Sequence, residues 1–281
     1  AEGTMLESGE IMHGVHGIVQ SLNNIVLKDA ESKAKYLPGF PDNAVARCAE
    51  LLPLLKDCFE LCRAFAEIEE PAQLADISVK LRQSIRAMNV NDFLLIPGGW
   101  YDGFQHRSKV MFVIIKTAQI GEVAEYTFTV CNSGQGKRYH IPHATENGEL
   151  LYETCQELLG VQGTKLEDLA FLTFLLSQPM QHEGHREETL YEVLLPWLCS
   201  KPLLQDVTPD SVANADFRRP ACSNTSCTNS VVEALHYVLR RKRLTADQLA
   251  RFAFALRQGQ ALMVRKDLED IESGVSDATG G

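Results

Sequence analysis

The segment Lys109-Val110-Met111-Phe112-Val113-Ile114-Ile115 constrains the fold more than any other. It is β-branched, apolar and unbroken, the pattern of a strand with both faces covered. A chain carrying such a strand must supply apolar helices or strands to cover it. After a turn near Ala118-Gln119-Ile120-Gly121, Tyr126-Thr127-Phe128-Thr129-Val130 alternates as a second strand, and Asn132-Ser133-Gly134-Gln135-Gly136 ends it with turn chemistry.

Helical periodicity surrounds this pair. Residues 8–90 read as helical, with Val45, Cys48, Leu51, Leu52, Leu55, Cys58, Cys62 and Phe65 at three-and-four spacing. A helix is expected over 72–88, and Pro38-Gly39-Phe40-Pro41 breaks the earlier part. Phe93-Leu94-Leu95-Ile96 is a short apolar run stopped by Pro97-Gly98-Gly99. Beyond the hairpin the pattern is mostly helical. Thr164 with Glu167 predicts a capping box ahead of Leu169 to Leu176, and Thr245 with Gln248 another ahead of Leu249 to Leu262. Ser226 to Arg240 forms a further helix whose buried side carries Val231, Val232, Leu235, Val238 and Leu239. The expected class is α+β: a helical N-terminal region (1–90), an α+β core (91–266) with a central antiparallel sheet and a helical C-terminal part, and a disordered acidic tail (267–281).

Charge and cysteine usage exclude several functions. The formal net charge of −10 disfavours nucleic acid and anionic membranes, which need clustered cations. The basic run Arg240-Arg241-Lys242-Arg243 falls late in a helix, where it complements the helix dipole. No stretch approaches the ~20 apolar residues of a membrane helix. The start, Ala1-Glu2-Gly3-Thr4, lacks signal-peptide character. The 8 cysteines include no CxxC pair, which argues for a reducing compartment, cytoplasm or nucleus, without a structural zinc. His182-Glu183-Gly184-His185 lacks metalloprotease spacing, so neither a metal nor any other cofactor is expected.

Two clusters carry candidate chemistry. A hairpin symmetric about a turn near residue 119 would set His106 opposite Asn132, close enough for an amide to orient an imidazole. Two polar strand ends would give the same spacing. Ser223-Asn224-Thr225-Ser226-Cys227-Thr228-Asn229-Ser230 opens an apolar helix. A nucleophile there gains from the dipole and from free backbone N–H groups, although such residues also serve as plain N-caps. His140 is a second candidate base. Gly99 and Trp100 form a glycine–aromatic pair suited to lie beside a cleft and cover a substrate strand.

The segment from Asn224 to Leu235 resembles the cysteine box of ubiquitin-specific proteases: Asn-Thr-Cys, two variable residues, Asn-Ser, then an apolar helix ending in Gln-Ala-Leu. Aligned on Asn229-Ser230, the family's nucleophilic Cys falls on Ser226, which stands as its replacement, with Cys227 as the rival nucleophile. The stretch from His106 to Asn132 is similar to the papain-like pattern, in which a His opens one strand and an Asn or Asp closes a neighbour. The order here is permuted: His, Asn, then nucleophile. Gln105-His106-Arg107 replaces the family's Gly-His-Tyr, and Ala221 occupies the usual oxyanion position, leaving Asn224 or backbone N–H groups for that role. The resemblance implies a papain-like thiol (iso)peptidase, deubiquitinase-like, acting on ubiquitin or a ubiquitin-like modifier. A non-catalytic scaffold on the same fold, or a Cys-dependent acyltransferase, stays open.

Overall fold

The computed structural model describes residues 14–23, 37, 39–101, 107–180, 186–203, 217–218 and 223–278. Among the described residues four helices come first: α1 (14–23), α2 (Asp42–Ala49), α3 (Leu51–Ala66) and α4 (Pro71–Ala87). Glu70 and Gln73 open α4 with a capping box, and Pro71 occupies its first turn, where no N–H is needed.

Strands β1 (Phe93–Tyr101), β2 (Arg107–Ile120), β3 (Val123–Cys131) and β6 (Cys155–Gln162) form one antiparallel sheet in that order. β4 (Pro142–Ala144), β5 (Leu150–Glu153) and β7 (Phe217–Arg218) make a smaller one. Helices α5 (Gly163–Leu166), α6 (Leu169–Ser177) and α7 (Thr189–Cys199, its first turn π-helical) follow β6. α8 (Ser223–Arg241) and α9 (Ala246–Ala278) complete the fold. The predicted α+β class is therefore observed.

The large sheet is buried on both faces, which explains the unbroken apolar run in β2. Met111, Val113 and Ile115 point into one core with α1, α3, α8 and α9. Val110, Phe112 and Ile114 point into the other with α4, α6 and α7. The N-terminal helices thus contribute to both cores that the sheet divides, and residue 90 is not a packing boundary.

Several expectations change. Pro97-Gly98-Gly99 does not stop β1, which runs on to Tyr101. Proline is tolerated because β1 is an edge strand of its sheet. A Cβ on Gly98 would lie 2.1 Å from the Phe112 ring, so glycine there makes room for the core. The capping box at Thr164 does not form. Thr164 lies within α5, Asp168 caps α6 by accepting from the Phe171 N–H at 2.9 Å, and Glu167 accepts from Arg86 and Tyr126. The second box is present: Thr245 N–H donates to Gln248 Oε1 at 2.9 Å, and Gln248 N–H to Thr245 Oγ1 at 3.3 Å. The helix it opens continues to Ala278, so the tail expected to be disordered from 267 is helical over most of its length. Strong helix formers such as Leu268, Glu269 and Glu272 outweigh its acidity. The basic run ends α8 as expected. Arg241 pairs with Glu157 at 2.6 Å, Lys242 pairs with Glu50, and Arg243 takes a left-handed φ of 64°.

Candidate functional site

The β2–β3 register pairs Met111 with Cys131. The chain reverses later than expected, between Ile120 and Val123, and a bulge at Lys116–Ala118 takes back only one residue of that shift. Continued along the strands, this register sets residue 110 opposite Asn132. The cross-strand pairing expected from a turn near residue 119 is therefore not the observed one. His106, like His182 and His185, lies outside the described residues.

Asn132 sits where β3 gives way to the glycine-rich loop, 1% exposed. Its Oδ1 accepts from Gly134 N–H at 2.8 Å, and its Nδ2 donates to Gln135 C=O and to Tyr191 Oη at 3.1 Å. Strand alternation puts Cys131 in the core beneath α8 and the Asn132 side chain on the opposite face, against Tyr191 of α7. The amide is spent on the loop and α7 and does not face α8, a different employment from the expected ring-orienting role.

His140 is fully buried beside it, and its tautomer follows from its partners. Glu153 C=O, 3.0 Å from Nδ1, can only accept, so Nδ1 carries the proton. Nε2 is then bare and accepts from the Tyr191 hydroxyl at 2.9 Å. A directed chain results: Asn132 amide to Tyr191 hydroxyl to His140 ring to Glu153 carbonyl. Burial lowers the His140 pKa to about 3, the Glu153 carbonyl partly opposes this, and Lys137 adds to it. With both nitrogens occupied and no solvent access, His140 is a structural imidazole rather than the alternative base. No sequence signal points to Tyr191. Thr189-Leu190-Tyr191-Glu192-Val193-Leu194 carries no motif, and only the fold brings it to Asn132.

Trp100 and Gly99 also differ from expectation. Both lie within β1, and Trp100 is 1% exposed. Its ring meets Tyr191 edge-on at 5.7 Å and closes over Gly136, where a Cβ would fall 2.8 Å from it. Gly136 also has a φ of 77°, a second reason for glycine. Trp100 is a core residue and offers no surface to a substrate. Gly99 pairs with Lys109 on β2.

The helix start is held differently. α8 begins at Ser223, so Asn224, Ser226 and Cys227 lie in its first turns; there the structure describes the helical backbone alone. One turn on, Ser230 is fully buried and works as a clasp. Its hydroxyl donates to Lys109 C=O at 3.2 Å and accepts from Ser133 N–H at 3.2 Å. One side chain thereby ties α8 to the start of β2 and to the end of β3. Two further contacts brace the region: Glu233 pairs with Arg218 at 3.4 Å, and Lys137 Nζ donates to Arg218 C=O at 3.4 Å. Among the described residues no cluster of His, Cys, Asp or Glu could hold a metal ion. No described helix is long and apolar enough to cross a membrane.

No protein-family model matches the chain, and neither a curated protein nor a solved structure matches it.

Proposed function

We propose that the chain is a thiol-dependent (iso)peptidase of the deubiquitinase type, with its nucleophile position at the first turn of α8, occupied by Ser226. The observation that carries this reading is the Ser230 clasp. It holds the N-terminus of α8 against the two strand ends, the arrangement an acyl-transfer site needs from a helix start and a sheet. The first N–H groups of the helix have no intrahelical partner and are suited to an oxyanion. On a regular helix Ser226 shares its row with Ser230, which meets the two strand ends, whereas Cys227 shares its row with Val231, which packs in the apolar core. That favours position 226 over Cys227. In this mechanism a cysteine at 226, as in the Ser226→Cys variant, gives its proton to His106 and attacks the carbonyl of a ubiquitin-like tail. The C–N bond breaks, the amine leaves with the proton from His106, and water then hydrolyses the thioester and restores the thiol. Asn132 acts only by fixing the β3 end, through its loop contacts.

The test is a ubiquitin propargyl probe offered to the chain and to Ser226→Cys. The proposal expects covalent labelling of the Cys variant and none of the parent. Labelling of the parent that disappears in Cys227→Ala would move the nucleophile by one position.

A second reading, a catalytically silent binding module on the same fold, is favoured by the Asn132 amide and His140 ring both being fully engaged. Under it Ser226→Cys stays unlabelled while ubiquitin still shifts NMR lines of α8.

A further inference from the structure

The end of β3 carries a second feature, one that does not depend on the peptidase reading. Cys131 and Cys155 face each other across β3 and β6, with their sulfurs 3.2 Å apart. Asn132 N–H donates to Thr154 C=O at 2.9 Å, so 132–154 is a hydrogen-bonded pair and the adjoining 131–155 pair is not. In antiparallel sheets these non-hydrogen-bonded pairs bring backbones closest, about 4.5 Å between Cα atoms, within the span of a disulfide. The two thiols differ. Cys131 is fully buried and its pKa is driven well up by burial, then by its hydrogen bond to Cys155. Cys155 is partly exposed, and its sulfur lies 3.7 Å from the Glu233 carbonyl of α8.

We propose that Cys131 and Cys155 are an oxidisable dithiol that closes to a cross-strand disulfide on exposure to hydrogen peroxide, fastening β6 to β3 immediately before the Asn132 loop. The partly exposed Cys155 reacts first. Its sulfur attacks the peroxide, the O–O bond breaks, and Cys155 sulfenic acid and one water form. The Cys131 sulfur then attacks the Cys155 sulfur. The S–O bond breaks, and the hydroxyl leaves with the Cys131 proton as a second water. Two thiols and one peroxide thus give one disulfide and two waters. Little movement is needed because the sulfurs already touch.

The experiment treats the reduced, folded chain with hydrogen peroxide, blocks remaining thiols by alkylation, and maps a non-reducing digest by mass spectrometry. The expected result is a linked peptide pair carrying Cys131 and Cys155. Dithiothreitol should reverse it, and the melting temperature should rise by several degrees while the bond is closed, because the β3–β6 connection becomes a closed loop in the unfolded state. Cys131→Ala should instead leave Cys155 as a sulfenic acid trapped by dimedone. If that variant does not fold, Cys155→Ala should abolish the linked pair and the thermal shift. Alkylation of both thiols after peroxide, a link to any other cysteine in their place, or over-oxidation of Cys155 in the parent chain with Cys131 still free would overturn the proposal.

Discussion

The loop after β3 and the first turns of α8 meet at Ser230 yet are built on opposite terms. In and against the loop, Asn132, His140 and Tyr191 of α7 are at most 1% exposed and spend their polar groups on one another and on nearby backbone. At the helix start, the constraint comes from one turn further along, and the first N–H groups are left without helical partners. A closed network confers rigidity, while an orphaned helix terminus is suited to meeting a substrate. Of the candidate residues, Asn132 and His140 sit in the closed half.

The contrast is sharpened most by Ser230→Ala in the Ser226→Cys background. Removing the clasp should slow propargyl labelling by about 10- to 100-fold, the usual penalty for a misplaced reacting group. Chemical denaturation should show only the ~1–3 kcal/mol loss of an unsatisfied buried group. If labelling is unaffected, the helix start is positioned by something other than Ser230. Tyr191→Phe should do the reverse. It strips the hydroxyl from between Asn132 and His140 and should cost ~1–3 kcal/mol in urea unfolding, with the labelling rate nearly unchanged. Gly136→Ala tests the same half through its backbone. With φ at 77° and Trp100 in the way, a thermal melt should reveal a loss of ~1–3 kcal/mol.

The pH profile tests the closed half without a substitution. Between about 3 and its ordinary 6.5, His140 holds fewer protons in the folded state than unfolded, so stability falls as acid is added across that window. Glu153, pushed up to about 8 by burial and then by Glu157, behaves oppositely. Between its ordinary 4.5 and about 8 it holds more protons folded, so stability declines as the pH rises. Glu153→Gln should flatten the decline above 6.5 and leave the fall below 4.5 as it was. A parallel shift of both limbs in a stability–pH series would contradict this assignment.

How far the sequence reveals this molecule depends on how local each cause is. β2 is legible because burial on both faces leaves an unbroken apolar run, and the Thr245–Gln248 cap because its partners are three residues apart. β6 is obscured by a local irregularity. A bulge moves the pairing from Phe128–Leu158 to Tyr126–Val161, Gly160 takes a φ of 69°, and Leu159 is turned out to 60% exposure, so alternation fails midway. The site was half legible. The polar helix start is visible in Asn224 to Ser230, but its position against the sheet depends on Lys109 and Ser133, far away in sequence. The facing of Asn132 depended on a turn two residues from where spacing alone would put it, and Tyr191 gave no local sign.

The sharing of cores between chain ends has a consequence for synthesis. α1 and α3 emerge from a ribosome long before α8 and α9, yet Ile18, Leu51 and Leu55 belong to the same core as Leu235 and Phe252. Until the last helices are made, the N-terminal ones have only a partial surface to dock on, and the sheet's second core can close before its first. Such long-range pairing slows folding, because loop closure is paid before the contacts that reward it. The nascent chain therefore carries an exposed apolar helical surface for most of its elongation, and this is where a chaperone would engage it.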